Sequence, residues 1–247
     1  MRLDDLARAI SRRKTLATIG ALVTGFATAP TPLEARKRKK KKSCPPCRKR
    51  KKGKCKGKLP DGAACVSGTC SGGICVAACG RGGPCTVFLS SSTVQGNLGG
   101  LGGADTRCQS LAAAAGLAGT YRAWLSDATS SPSSRFVRSS GPYRLVNGVT
   151  IAESWVDLTD GSPLQATITV TETGGDHGGN TNAWSNTGPD GRALLGGPGT
   201  GHCVNWTSNS NGIEGGFGNI SNAETWSSVP VTVPCVNYRH LYCFQQN

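Results

Sequence analysis

Lysine is absent from the sequence after Lys58, although the chain runs to 247 residues. The first sixty residues hold 20 of the 28 Lys and Arg residues and only 3 of the 14 Asp and Glu residues, which gives this region a formal charge of +17. The remainder has 8 Arg and 11 acidic residues, a formal charge of −3. The net charge of +14 therefore belongs to a basic N-terminal region, and a lysine-rich anion-binding surface is excluded from the rest of the chain.

Sequence motifs of the common catalytic sites are missing as well. The three histidines are scattered, and the sequence contains no His-x-x-x-His and no Gly-x-Ser-x-Gly pattern. We interpret His240 as a packing residue and Asp176 with His177 as solvated loop residues. These absences favour a non-catalytic protein, and we expect no cofactor and no resident metal.

A long hydrophobic run is also lacking. The apolar stretch at residues 16–29 is interrupted by Gly20, Thr24 and Gly25, and it is too short for a membrane span of about 20 residues. It follows a basic region that contains the pair Arg12-Arg13, a layout typical of a secretory signal. We expect residues 1–35 to be an export signal peptide. The sequence does not decide whether this signal is cleaved or retained as an anchor. It also does not decide between the twin-arginine and the general secretion route.

Cysteine is abundant, with twelve residues, and an even number in an exported chain predicts complete disulfide pairing. Residues 59–85 are too short to bury a sufficient core, so we predict a small Cys-rich module held by disulfides, with zinc as the alternative. The eight cysteines at 44–85 allow 105 pairings, and the sequence does not select one. The cysteines are Cys44, Cys47, Cys55, Cys65, Cys70, Cys75, Cys79, Cys85, Cys108, Cys203, Cys235 and Cys243.

The segment 36–58 contains 15 Lys or Arg residues in 23 positions and no acidic residue. We expect a disordered or extended polycationic segment, unless its cysteines pin it. Its predicted partners are anionic surface polymers or lipid head groups, and a solvated spacer is the alternative. Export and the lack of aromatic residues in the segment argue against nucleic acid. The Cys44-Pro-Pro-Cys47 sequence lacks the strand and helix of a redox site, which favours structural pairing.

Local patterns predict the elements of residues 86–247. A first strand is expected at 86–90, a helix at 104–115 that ends at Gly116, and a strand at 121–126. Asn147-Gly148 predicts a hairpin turn. Residues 173–201 are mostly Gly, Asn, Thr and Pro and predict a long loop of a kind that is functional or mobile. Two further strands are expected within 229–244.

Segments in residues 86–247 also resemble a family. The sequence reads Gly-Gly-Leu-Gly-Gly-Ala-Asp at 99–105, Tyr-Arg-Ala-Trp-Leu-Ser at 121–126, Trp-Val-Asp-Leu-Thr-Asp-Gly at 155–161, Cys-Val-Asn-Trp-Thr at 203–207 and Arg-His-Leu-Tyr-Cys-Phe at 239–244. In order and content these are similar to bacterial secreted domains of unassigned function with an endostatin-like or C-type-lectin-like fold.

The resemblance implies an α+β domain at 86–247 with a mostly antiparallel sheet, one or two short helices and long loops. It also implies nested disulfides, Cys108 to Cys243 and Cys203 to Cys235. The calcium-ligating Glu-Pro-Asn and Trp-Asn-Asp elements of true C-type lectins are absent. Four of the five tryptophans stand in family-like segments and are expected in the core, whereas Trp184 stands in the polar loop and is expected to be exposed.

The sequence thus predicts an exported or cell-surface binding protein whose ligand is a glycan, a wall polymer or an extracellular protein. A first alternative is an exported hydrolase with a loop-built pair of carboxylates, drawn from Asp157, Asp160, Glu214 and Glu224. A second is a structural envelope component. The candidate ligand-binding residues are Trp184, Asp176, Asn205, Glu214, Asn222 and Glu224.

Overall fold

The computed structural model describes residues 43–179, 181–196 and 200–247. The expected export signal at 1–35 and the first part of the basic segment, 36–42, lie outside the described residues. The described chain is mixed α+β, mostly sheet, with short helices and six disulfides. The strands are β1 (Arg48–Lys51), β2 (Lys54–Lys58), β3 (Gly68–Ser71), β4 (Ile74–Ala77), β5 (Cys85–Leu89), β6 (Tyr121–Ala123), β7 (Tyr143–Leu145), β8 (Thr150–Ala152), β9 (Asn182–Trp184), β10 (Glu214–Asn219), β11 (Thr232–Pro234) and β12 (His240–Gln245). The helical segments are α1 (Gly100–Ala114), α2 (Pro132–Arg135), α3 (Trp155–Leu158) and α4 (Cys203–Trp206).

An eight-stranded sheet forms the centre of the fold, in the order β11-β10-β9-β12-β5-β7-β8, with β6 also paired to β12. The β12–β9 and β5–β7 pairs are parallel and the others are antiparallel. Strand β12 lies in the middle of the sheet, and five of its six residues are buried. Because successive side chains of a strand point to opposite faces, β12 supplies Tyr242 and Phe244 to one hydrophobic cluster, and Leu241 and Cys243 to another.

Helix α1 packs a stripe of small residues against this sheet. Ala104, Cys108 and Ala112 recur every four residues and are fully buried. The helix begins four residues before the predicted start. Gly103 lets the segment before the helix lie close to its first turn, because a Cβ there would lie 1.9 Å from the carbonyl oxygen of Leu98. The predicted stop at Gly116 is confirmed, since its φ is +72° and its N–H donates to the Ala113 carbonyl.

Three other local predictions are confirmed. Within the predicted strand at 121–126, of which β6 covers Tyr121–Ala123, the side chains of Tyr121, Ala123 and Leu125 enter one cluster and Trp124 enters the opposite one, as the alternation predicts. Asn147-Gly148 connects β7 to β8, with a φ of +88° at Gly148. The first strand is confirmed as β5.

The disulfides are the covalent frame of the chain. All twelve cysteines are paired. Cys108 pairs with Cys243 and Cys203 with Cys235, as the resemblance implies. In the N-terminal part the pairs are Cys44–Cys55, Cys47–Cys70, Cys65–Cys75 and Cys79–Cys85. Although the sulfurs of Cys47, Cys65 and Cys70 lie close together, all three are disulfide-bonded and none offers a thiolate to zinc.

The basic segment is ordered at residues 43–58, where its cysteines pin it, which is the exception that the prediction of disorder allowed. Strands β1 and β2 form an antiparallel hairpin there, and β3 and β4 form a second hairpin at 68–77. The first hairpin is ordered because Cys44–Cys55 closes it on itself, and Cys47–Cys70 ties it to the second. Cys44 and Cys47 therefore serve two structural crosslinks and form no redox pair with each other.

Candidate functional site

The hairpin β1–β2 concentrates positive charge on a fixed scaffold. Residues 48–58 contain eight Lys or Arg residues and no acidic residue. Arg48 stands opposite Lys58, and Lys51 opposite Lys54. Like charges that face each other across a strand pair are destabilising, so the hairpin relies on its disulfides for order. We call residues 48–58 the cationic hairpin.

The cations of the cationic hairpin face solvent. Lys51, Lys52, Lys54 and Lys56 are exposed and surround a depression of about 400 Å³. At the turn, Arg50 Nη1 donates to the Gly53 carbonyl at 2.7 Å. None of the residues that line the depression is acidic, so its cations are available to an external anion.

An aliphatic groove adjoins the cationic hairpin. Its volume is about 570 Å³, and Pro45, Pro46, Arg48 and Ile74 are among the residues that line it. Arg48 Nε donates to the Gly73 carbonyl at 3.3 Å, which joins the two hairpins at this groove. Ile74 is 68% exposed, and Val76, two residues further on the same face of β4, is also exposed. Cations and exposed aliphatic side chains therefore lie on neighbouring hairpins.

Trp184 is fully buried, and the prediction that it is an exposed ligand contact is wrong. The indole Nε1 donates to the Val94 carbonyl at 2.9 Å, and the ring packs on Trp206 at a centroid distance of 5.7 Å. Trp184 belongs to β9, which lies between β10 and β12 in the sheet. The other four tryptophans are also buried, as predicted.

Part of the predicted long loop is likewise core. Ser185, Asn186 and Thr187 follow β9 and are fully buried. Thr187 Oγ1 lies 2.8 Å from Ser126 Oγ, and Ser227 Oγ donates to the Thr187 carbonyl at 2.7 Å. Small polar side chains can be buried here because each finds a hydrogen-bond partner: Asn186 and Thr187 bond to Ser126, and Ser185 accepts from the Thr187 N–H. Among the described residues of 173–201, the exposed candidate contact surface therefore lies before β9 and after Gly188.

Asn205 lies on an unusual exposed turn. All four residues of α4 have positive φ, from +47° to +62°, so the segment is a left-handed turn built without glycine. This conformation costs roughly 1–2 kcal/mol per residue, and it is held by Cys203–Cys235 and by buried Trp206, whose Nε1 donates to the Ser126 carbonyl. Asn205 accepts from the Ala128 N–H at 3.2 Å.

The remaining candidates are exposed, and their hydrogen bonds lie within local turns or, for Glu214, between two neighbouring strands. Asp176 accepts from the Gly178 N–H, an interaction that contributes to holding its pKa below the usual value. Asn222 accepts from the N–H of Glu224 at 2.8 Å. Glu214 begins β10 and accepts from the Thr232 hydroxyl. These residues come from separate segments, and no contact among the described residues joins one to another, apart from the bond between Asn222 and Glu224.

The carboxylates of the alternative hydrolase site are also engaged in local bonds. Asp157 accepts from the Glu153 N–H at 2.6 Å and from Gln165 at 3.2 Å. Asp160 accepts from the Ser162 N–H at 2.8 Å. Among the described residues, no shared hydrogen-bond partner joins either of them to Glu214 or Glu224.

His240 and His177 come together, which the sequence did not predict. Their ring centroids lie 4.2 Å apart in an edge-to-face arrangement. His240 is 1% exposed, and its Nδ1 lies 2.7 Å from the Ser90 carbonyl oxygen. Burial lowers the pKa of His240, which favours the neutral ring.

Comparison with known proteins gives no further guide, because neither the protein-family models nor the curated proteins contain a match. Among the described residues, every helix is too short or too polar to cross a bilayer. Twelve paired cysteines are typical of proteins that fold in an oxidising compartment.

Proposed function

We propose that this is an exported, non-catalytic binding protein that attaches to an anionic polymer at a cell surface through the cationic hairpin. The observation that carries the proposal is the set of eight cations without an acid on a hairpin tied down by two disulfides. A fixed array of this kind loses little conformational entropy when it binds a polyanion. A solvated spacer would need no such crosslinks.

Residues 86–247 are proposed to form an endostatin-like or C-type-lectin-like domain that adds ligand selectivity. The order of the family-like segments and the two pairs Cys108–Cys243 and Cys203–Cys235 support this assignment. The local engagement of Asp157 and Asp160 favours binding over hydrolysis.

The test compares two double variants of equal charge change. Lys54→Gln/Lys56→Gln removes two cations that line the depression, and Arg144→Gln/Arg192→Gln removes two exposed cations elsewhere. Substitution is preferable to a shortened protein that begins at residue 84 and so lacks the cationic hairpin, because Cys85 would then have lost its partner Cys79. The probe is poly(glycerol phosphate), measured by titration calorimetry at several salt concentrations.

We expect the lysine variant to bind about thirtyfold more weakly, since each cation near an anionic surface contributes about 1 kcal/mol. The slope of the logarithm of the binding constant against the logarithm of the salt concentration should become shallower by about 1.5, because each of the two removed cations contributes about 0.7–0.9 through counterion release. The arginine variant should bind like the wild type. Equal losses in both variants would show that only net charge matters and would refute the proposal.

A second candidate function, attachment to anionic lipid, is favoured by the exposed Ile74 and Val76 beside the cationic hairpin. The same proteins, together with Ile74→Ser/Val76→Ser, are to be tested on phosphatidylglycerol vesicles. If the serine variant loses vesicle binding and retains polymer binding, the aliphatic residues serve a lipid surface. If the wild type binds only vesicles, the polymer assignment is wrong.

A further inference from the structure

A cavity of about 350 Å³ opens between the loop before β9 and the segment that leads into β12. This volume lies at the lower end of the range for small-molecule sites. No acidic residue lines it among those that the structure describes, and its main polar wall consists of His177, Thr181, Asn182, Tyr238, Arg239 and His240.

Two side chains of this wall have unused hydrogen-bonding capacity. Thr181 Oγ1 and Arg239 Nε are buried without a partner, and they are two of the four such side-chain atoms in the part of the chain that the structure describes. The Arg239 guanidinium is fixed, because its Nη1 donates to the Tyr238 carbonyl at 2.9 Å and its central carbon lies 5.4 Å from the Phe217 ring centroid. Orphaned buried donors are unfavourable, and a ligand that accepts from them would relieve this cost.

Arg239 forms no ion pair among the described residues. Two carboxylates interact electrostatically with the cavity histidines, Glu172 with His240 and Asp176 with His177. Glu172 is buried and accepts from the N–H and the hydroxyl of Ser91, and Asp176 accepts from the Gly178 N–H. Neither pairs directly with the Arg239 guanidinium, which therefore remains open to direct pairing with an anionic ligand.

The imidazole and the aromatic ring add other chemistry. Because a carbonyl oxygen only accepts, His240 Nδ1 carries the proton that bonds Ser90, and Nε2 of the neutral ring is an acceptor for a hydroxyl group. Tyr238 is 61% exposed, and it presents an aromatic ring beside the polar wall. A cation, a hydroxyl group, an amide, an acceptor nitrogen and an aromatic ring thus converge on one small volume.

We infer that this cavity binds a monosaccharide unit that bears a carboxylate, such as a uronic acid. Arg239 would pair with the carboxylate, and Thr181, Asn182 and His240 would bond the sugar hydroxyls. The Tyr238 ring would cover one face of the sugar. This inference stands on residues remote in sequence from the cationic hairpin and does not depend on its role.

The test follows the imidazole signals by NMR during titration with D-glucuronate. The chain has only three histidines, and His202, which is not among the cavity-lining residues, is the internal control. We expect saturable shifts at His177 and His240 and none at His202. D-Glucose and inorganic phosphate should produce no saturable shift, because each lacks one half of the proposed ligand.

Variants separate a specific site from general charge. Arg239→Gln and Thr181→Val should each weaken D-glucuronate binding by at least about tenfold, the loss expected for one hydrogen bond to a charged or buried group. Arg144→Gln, an exposed arginine on β7, should bind like the wild type. Thr181→Val preserves side-chain volume, and therefore remains informative if Arg239→Gln does not fold. An equal response to D-glucose or phosphate would overturn the inference. The absence of a saturable shift up to about 50 mM D-glucuronate, a concentration above the Kd of specific recognition, would also overturn it.

Discussion

Replacement of Trp184 by phenylalanine tests whether this residue acts through the core rather than through a ligand. Trp184 has no exposed surface, and its Nε1 donates a 2.9 Å hydrogen bond to the Val94 carbonyl. Phenylalanine retains most of the apolar ring but removes the donor, while the Val94 carbonyl keeps its second bond, from the Arg239 N–H at 2.9 Å.

The magnitude follows from two contributions. Loss of the bond costs about 0.5–1.5 kcal/mol, because the acceptor is still bonded to the Arg239 N–H. The smaller ring leaves a void beside Trp206 that adds roughly 1 kcal/mol. We therefore expect the free energy of unfolding to fall by about 1.5–2.5 kcal/mol, measured by urea denaturation with the disulfides intact.

Trp155→Phe is the matched control. Trp155 is nearly buried, and its indole nitrogen donates no hydrogen bond among the described residues, so the same substitution should cost only about 1 kcal/mol. The reasoning is refuted if both variants are equally stable, or if Trp184→Phe leaves stability unchanged and abolishes binding of a ligand.

Two further predictions concern backbone strain and pH. Val204 has a φ of +54° and is exposed, so Val204→Gly should leave stability unchanged or raise it. The control Val156→Gly, at an exposed position in α3, should lower stability by about 1 kcal/mol. Thermal unfolding should therefore separate the two variants by about 1–2 kcal/mol, and equal losses would contradict backbone strain at Val204. Burial raises the pKa of Tyr143 to about 12, above its value of about 10 in the unfolded chain, so its contribution is complete below pH 10 and is lost as pH rises towards 12. This loss should reach roughly 3 kcal/mol, and Tyr143→Phe should flatten the fall in stability between pH 10 and 12, as followed by fluorescence. An unchanged slope would refute the assignment.

The histidine cavity was beyond prediction from the sequence for a clear reason. His177 and His240 are 63 positions apart, and neither belongs to a metal or nucleophile motif. The parallel pairing of β12 with β9, which joins His240 to Ala183, brings their segments together. Similarly, whether Arg239 Nε finds an acceptor depends on the tertiary packing around it, which no local pattern encodes.

Local rules determined what depends on neighbouring residues. The alternation at 121–126, the Asn147-Gly148 turn and the glycine stop of α1 follow from φ preference and side-chain period, so the sequence alone sufficed. The even number of cysteines predicted complete pairing, though not the partners within 44–85. Tertiary structure decided whether the basic segment and the polar loop are ordered. Disulfides fix the first. In the second, Ser126 bonds the Thr187 hydroxyl and Ser227 bonds the Thr187 carbonyl, because burial of polar groups here depends on partners distant in sequence.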